Sequence, residues 1–120
     1  MDGTAAGKAI DPQAVETAEQ NMLSKKAEAG ATKVLESLCD PTRLRIVRAL
    51  CDTTLAASDI ARVIGRSRAA TSQHLKVLRD AEAVVPTRQG NIVRYALSTH
   101  VHAEILEDIG RSFDRLEATG

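Results

Sequence analysis

A chain of 120 residues with 43% apolar and 27% charged side chains has room for one globular domain around one core. One Tyr, one Phe and no Trp leave Leu, Ile, Val and Ala to fill that core, and 16 basic residues cancel 16 acidic ones, so the total charge points to no nucleic-acid partner. No apolar run nears the roughly 18 residues that span a bilayer, the start MDGTAAGKAIDPQ lacks a secretory signal's apolar stretch, and two cysteines make no disulfide framework, which together predict a cytoplasmic protein without membrane contact.

Residues 1–10 are small and polar and read as a flexible tail, followed by a single domain over 11–120. Asp11-Pro12 is a helix start: the carboxylate caps free N–H groups and Pro suits the first helical position. The pattern predicts a helix from Pro12 to Ala29, ended by Gly30, with a thin apolar stripe of Val15, Ala18, Met22 and Ala29. So thin a stripe is hard to stabilise alone and suggests a second chain as its support. A short helix is expected from Thr32 to Cys39, with Val34, Leu35 and Leu38 inward. Asp40-Pro41 repeats the capping device and opens a helix to Leu50, whose inner face is Leu44, Val47 and Leu50 with Ile46 flanking, while Arg43, Arg45 and Arg48 lie largely away from it. Residues 51–56 read as a connection.

Ala57 to Ile64 forms the next helix, with Ile60, Ala61 and Ile64 apolar and Gly65 as its left-handed exit. Ser67 caps a helix from Arg68 to about Ala81, anchored by Leu75 and Leu78. Two β-rich runs, Val84–Arg88 and Ile92–Leu97, follow around Gln89-Gly90-Asn91, which is hairpin chemistry. Pro86 has no N–H for a ladder, so its strand belongs at an edge. Thr99 to about Glu117 carries Val101, Ile105, Ile109 and Leu116 at helical spacing, with Phe113 nearby. The expected class is mainly α with a small β-hairpin: a winged helix-turn-helix over 57–82, a wing over 84–97 and a last helix over 99–117.

The neutral total conceals a sharp division of charge. Residues 1–40 carry 4 basic and 7 acidic side chains, residues 41–94 carry 10 and 4, and residues 95–120 carry 2 and 5. A basic middle between acidic ends is the asymmetry of a chain whose centre meets phosphate. Within that centre Arg68, Thr71, Ser72, Gln73 and His74 fall in the first turns of one short helix. Arg can fork onto guanine, Gln can pair with adenine, and Ser or Thr can serve base or phosphate. Arg66, Ser67 and Lys76 flank the set as phosphate-contact candidates, and Arg88, Gln89, Asn91 and Arg94 arm the hairpin for the backbone or the minor groove. No Gly-rich phosphate loop and no nucleophile–base pair at workable spacing suggests an enzyme.

The run CDPTRLRIVRAL, the segment Ser72-Gln73-His74-Leu75 and the wing ending in Tyr95 resemble the ArsR/SmtB family of bacterial winged-helix repressors, over roughly residues 31–117. The resemblance implies a homodimer held by the first and last helices. It also implies binding to operator DNA through the recognition helix and wing, and release by a metal ion or another chemical signal. The family's Cys-x-Cys metal positions correspond here to Ala56 and Ser58, which supply no thiolate. Its last-helix metal positions correspond to Ser98, His100, Arg111 and Asp114, and Arg111 would set a cation where the metal belongs. A divalent zinc- or nickel-type ion would have to borrow His100, Glu104 and Asp114 across the dimer; the other reading of His100 and His102 is a solvated or capping role.

Cys39 and Cys51 raise a third option, a thiol-responsive regulator. They bracket a helix of about 15 Å, whereas a disulfide needs Cα atoms within about 7 Å, so a direct bridge is not expected. Cys39 beside Leu38 reads more simply as a small apolar residue. The expectation is thus a sequence-specific DNA-binding repressor whose inducer is unidentified. Its rival from another class is a winged-helix protein-interaction module that no longer binds DNA.

Overall fold

The computed structural model describes residues 7–99, 103–112, 114 and 116, with backbone alone at 103–105 and 110. Cα packing divides the chain into two units, Met1–Gly30 and Ala31–Gly120.

In the first unit, α1 runs Pro12–Gln20. Its start is the one read from Asp11-Pro12: the Asp11 carboxylate accepts the Ala14 N–H at 3.1 Å. Its end is earlier than expected. The chain leaves the helix at Asn21, and α2 begins afresh at Lys25 and runs to Ser37. Ser24 makes the second start, its hydroxyl accepting the Ala27 N–H at 3.1 Å and its carbonyl the Glu28 N–H at 2.8 Å. The single helix to Ala29 is therefore two helices, and Gly30 lies inside the second rather than ending it. One interior Gly costs a helix only about 1 kcal/mol relative to Ala, which the flanking residues absorb. No residue of α1 is buried.

In the second unit, Val34 and Leu38 enter the core, but Leu35 is 52% exposed, contrary to its expected inward position. Helix α3 spans Pro41–Ala49, with the Asp40 carboxylate accepting the Arg43 N–H at 3.0 Å. Its inner face is Ile46, Val47 and Leu50, while Leu44 is only partly covered, so Val47 and Leu50 face inward as expected but the face turns by about 50° from Leu44 toward Ile46. Residues 51–56 are more than a connection. Leu55–Ala56 form β1, which pairs antiparallel with the later strand β3, Leu55 opposite Tyr95 and Ala56 opposite Arg94.

Helix α4, Ala57–Ile64, buries Ile60, Ala61 and Ile64 and ends where expected, at Gly65 with φ 67°. The Gly65 and Arg66 N–H groups both donate to the Ala61 carbonyl, closing the helix end. Helix α5, Arg68–Asp80, follows its Ser67 cap and buries Thr71, Leu75 and Leu78. Strands β2, Val84–Gln89, and β3, Ile92–Leu97, make the hairpin. Gly90, φ 63°, takes the first of its two turn positions, as a II′-type hairpin turn requires. The sheet order β1-β3-β2 puts β2, with Pro86, at an edge. The Ser98 N–H donates to the Ala83 carbonyl at 3.0 Å, and Ser98 and Thr99 stay outside the helix expected from Thr99. The last helix, α6, is Ala103–Arg111, with helical backbone also at 114 and 116; the expected members Val101, Phe113 and Glu117 lie outside the described residues.

Ile46, Ile60, Leu78 and Leu106 are fully enclosed and join α3, α4, α5 and α6 in one cluster with Val84 and Leu97 of the sheet. Each such side chain stabilises the unit by about 2 kcal/mol. Helix α6 packs on α3 and β3, and α5 on α3, α4 and β2, so the cluster fixes the orientation of α5 from three sides.

Gly65 supplies a clean test of the turn between α4 and α5. A Cβ there would meet nothing within 4 Å, so the cost of Gly65→Ala is the left-handed backbone alone. Urea denaturation should show a loss of about 1–2 kcal/mol, and Gly65→Asn should lose less.

Candidate nucleic-acid interface

Helix α5 has two sides, divided by what it buries. Thr71, Leu75 and Leu78 point into the core, which leaves Arg68, Ser72, Gln73, Lys76 and Arg79 on the exposed arc. Arg68 Nη1 lies 3.4 Å from Ser72 Oγ, one turn on. The Ser67 hydroxyl is committed to the helix itself, accepting the Ala70 N–H at 3.1 Å. Lys76 is paired with Asp80 at 3.2 Å, both largely exposed, so the contact is a weak surface pair.

Two of the residues expected on the outer face are not there. Thr71 is 0% exposed, and its Oγ1 has no hydrogen-bond partner among the described residues. Four residues before Leu75 and seven before Leu78, it belongs to the buried stripe itself. His74 is partly buried and turns toward α3, its Nδ1 3.8 Å from Asp40 Oδ2. It helps dock α5 on the start of α3 rather than facing outward. Arg66, though exposed, also reaches toward α3, its Nη2 3.5 Å from the Thr42 hydroxyl.

The hairpin separates its two arginines. Directly paired residues share a face of a sheet, and residues two apart on a strand do too. Arg88 is opposite Val93 and therefore shares the face of Tyr95 and Leu97, whereas Arg94 is opposite Thr87 on the other face. Arg88 is exposed and bonds the Gly90 carbonyl at 3.3 Å, stiffening the turn; Arg94 is partly covered where β1 pairs with it. Gln89 and Asn91 are exposed at the tip.

Between α5 and the hairpin lie two hollows. One, of about 400 Å³, is bounded by Ser58 at the start of α4, Arg68 and Ser72 of α5, and Asn91, Val93 and Tyr95 of the hairpin. The other, of about 420 Å³, follows the later turns of α5 past Lys76 and Arg79 to Tyr95. Arg68, Ser72 and Asn91 are thus brought to one concavity. Ser58, noted in the sequence only as a position without a thiolate, and Arg79 join the expected residues here; Arg79 continues the arc of Arg68, Ser72 and Lys76 at the same helical spacing.

The candidates for sensing are dispersed. Cys39 is exposed and Cys51 is half-buried, both as free thiols, so Cys39 is not the covered apolar residue expected. Their S–H groups point back along their own helices, to the carbonyls of Leu35 and Val47 at 3.5 Å. Burial pushes the Cys51 thiol up, with the cation of Arg111 opposing it, which keeps the less nucleophilic protonated form. Asp114 does not offer a vacant carboxylate: it lies 2.9 Å from Arg48 Nη1, and Arg111 is bonded to Asp52. His100 and the side chain of Glu104 lie outside the described residues. Among the described residues no three His, Cys, Asp or Glu side chains converge.

The family model for the bacterial regulatory proteins of the arsR family matches residues 40–84. The HTH-type transcriptional regulator NmtR of Mycobacterium tuberculosis is 37% identical over 87 residues, 72% of each chain. Among solved structures, the transcriptional repressor BigR from Xylella fastidiosa superposes with a TM-score of 0.68 at 25% identity, covering 78% of this chain and 92% of that one. The cadmium metal-sensor CMTR from Mycobacterium tuberculosis gives a TM-score of 0.55 at 38% identity, covering 64% of this chain and 80% of that one.

Two measurements test the inner side of α5. Thr71→Val removes a buried hydroxyl without a partner while keeping the side chain's shape, and should raise stability to urea by about 1 kcal/mol. Asp40 is held below the usual carboxylate range, chiefly by the Arg43 N–H and further by His74 and Arg43. Its depressed value adds stability that is complete above the ordinary aspartate range and is lost as pH falls through the lowered one. Asn caps without titrating, so Asp40→Asn should be the less stable form near about pH 6 and should close or reverse that gap near about pH 3.

Proposed function

Because the chain belongs to the ArsR family of bacterial regulatory proteins, we propose that it is a sequence-specific DNA-binding transcriptional repressor, acting as a homodimer on operator DNA. The observation that carries this reading is the convergence of Arg68, Ser72 and Asn91 on one hollow between α5 and the hairpin. That hollow lies in the segment, residues 41–94, where basic residues outnumber acidic ones by 10 to 4. A helix that enters a major groove meets base edges with its first turns, and a wing beside it meets the flanking backbone.

The roles follow from chemistry and exposure. Arg68 and Gln73, long and exposed near the start of α5, are assigned to base edges: guanine for Arg68, adenine for Gln73. Ser72, Lys76, Arg79 and Arg66 are assigned to phosphates, with Arg88, Gln89 and Asn91 of the wing on the adjoining strand. The dimer reading draws on apolar side chains left uncovered: Val15 and Met22 in and just after α1, Leu35 in α2 and Leu116 near the end.

For the release signal, the similarity to a cadmium metal-sensor supports a divalent cation as the class to test first. Since the described donors do not converge, that ion would draw on His100 and Glu104. Elemental analysis of the purified protein after metal exposure, beside a Cys39→Ser/Cys51→Ser variant, separates metal from thiol chemistry.

The repressor reading predicts steep salt dependence. The logarithm of the association constant for a selected duplex should fall linearly with the logarithm of salt, and Arg88→Ala should make that slope shallower by about 1. Gln73→Ala should weaken the selected duplex by about 1–3 kcal/mol while hardly affecting a random one. A salt-independent response by the intact protein would refute DNA binding and favour the protein-interaction module.

A further inference from the structure

Tyr95 stands in the middle of β3, in register with Leu55 of β1 on one side and Pro86 of β2 on the other. It is half-buried, packed against the edge of the core. Its ring lies on the face of the sheet shared with Val93, Leu97 and Arg88. Tyr95 and Ser72 are the residues common to both hollows beside α5, so the junction between the hollows is made by a small side chain of the helix and an aromatic ring of the strand. Tipward of this junction Val93, on the same face, is only partly covered and is not among the side chains packed against the core, and every residue from 87 to 92 is exposed.

A two-stranded ribbon beyond its last packed contact is free to twist and bend. The position of the wing tip relative to α5 is therefore decided at the last side chain on the helix-facing side that packs against the core, and Tyr95 is at that point. A tyrosine has only two side-chain torsions and a flat, rigid ring, so it acts as a spacer of fixed thickness. Resting on the operator-binding reading above, we propose that Tyr95 is a positioning residue: it sets the span between the exposed arc of α5 and the wing tip, so that both engage one duplex together. Two contact sets held at a fixed span bind the second time intramolecularly, and a loose span forfeits that gain.

The test has two arms. In the first, Asn91→Cys and Val77→Cys are spin-labelled in a Cys39→Ser/Cys51→Ser background, and pulsed electron paramagnetic resonance reads the wing-to-helix distance. With the labelled chain diluted into an excess of unlabelled chain, so that only distances within one protomer are read, a single narrow distance is expected with Tyr95 and with Tyr95→Phe, and a broadened one with Tyr95→Val, which keeps a good strand former in place. In the second, a duplex enriched by the parent chain from a random-sequence library is bound by a double-mutant cycle of Tyr95→Val and Arg88→Ala. Arg88→Ala should cost less in the Tyr95→Val background than in the parent, by a factor of about five, and Tyr95→Phe should restore the parent's sensitivity. An unchanged distance in Tyr95→Val overturns the proposal whatever the duplex shows. A broadened distance with Arg88→Ala equally costly in both backgrounds also overturns it, because the ring then serves packing alone. Failure of the parent chain to enrich any duplex overturns the operator reading and this one with it, and is distinguished by arising before any substitution.

Discussion

Helix α5 can bury only one line of side chains, and the choice of Thr71, Leu75 and Leu78 determines what every other residue of the helix can touch. At 3.6 residues per turn, positions 71, 75 and 78 fall on one stripe, and the exposed arc then runs from Arg68 and Arg79 beside that stripe, through Ser72, to Lys76 and Gln73 on the far side. The burial is strong because α3, α4 and β2 all pack on this helix. Rotating α5 to bring Thr71 outward would drag Leu75 and Leu78 from the core, at about 2 kcal/mol for each side chain uncovered. An unpartnered hydroxyl in the core costs less than that, so the helix tolerates Thr71 inside.

The second constraint is the entry of α1, α2, α3 and α5. Asp11, Ser24, Asp40 and Ser67 each give a side-chain oxygen to a backbone N–H three residues on. Asp40 does more than cap, because His74 of α5 approaches the same carboxylate. The group that starts α3 therefore also helps to set the roll of α5. Cap and docking contact share one acidic side chain, which ties the orientation of the exposed arc to the integrity of a helix terminus thirty-odd residues earlier in the chain.

What could be read from the sequence was what is decided locally. Gly65 as a left-handed exit, Ser67 as a cap and Gly90 at a hairpin turn depend on residues within four positions of each other, and all are found. The misreadings came where two local signals competed or where a distant partner decides. Ser24 outweighed Gly30 because a cap that satisfies an N–H defines a boundary, whereas an interior glycine only weakens a helix. The strand Leu55–Ala56 is two residues long and exists through its pairing with β3, some forty residues away. Thr71 is covered because the stripe it shares with Leu75 and Leu78 meets α3, α4 and β2, and His74 because Asp40 at the start of α3 approaches it. Asp114, a chemically reasonable ligand on its own helix, is answered by Arg48 from another.

The same distinction separates α5 from α6. At the α5 end, function depends on residue types along one helix and one hairpin, so charge and spacing disclose it. At the α6 end, the charged groups are committed across elements: Arg48 to Asp114 and Arg111 to Asp52, with the Cys51 thiol close enough to feel both arginines. These exposed pairs are individually weak; Leu106, fully enclosed, and Ile109, packed at the edge of the core, supply the firmer hold on α6. Helix α6 also packs on β3, the central strand that carries Tyr95. The strand that joins the sheet to the last helix thus bears the side chain nearest the start of the free wing. Helix α6 and the hairpin thus share β3 as a common support, although α6 packs more extensively on α3.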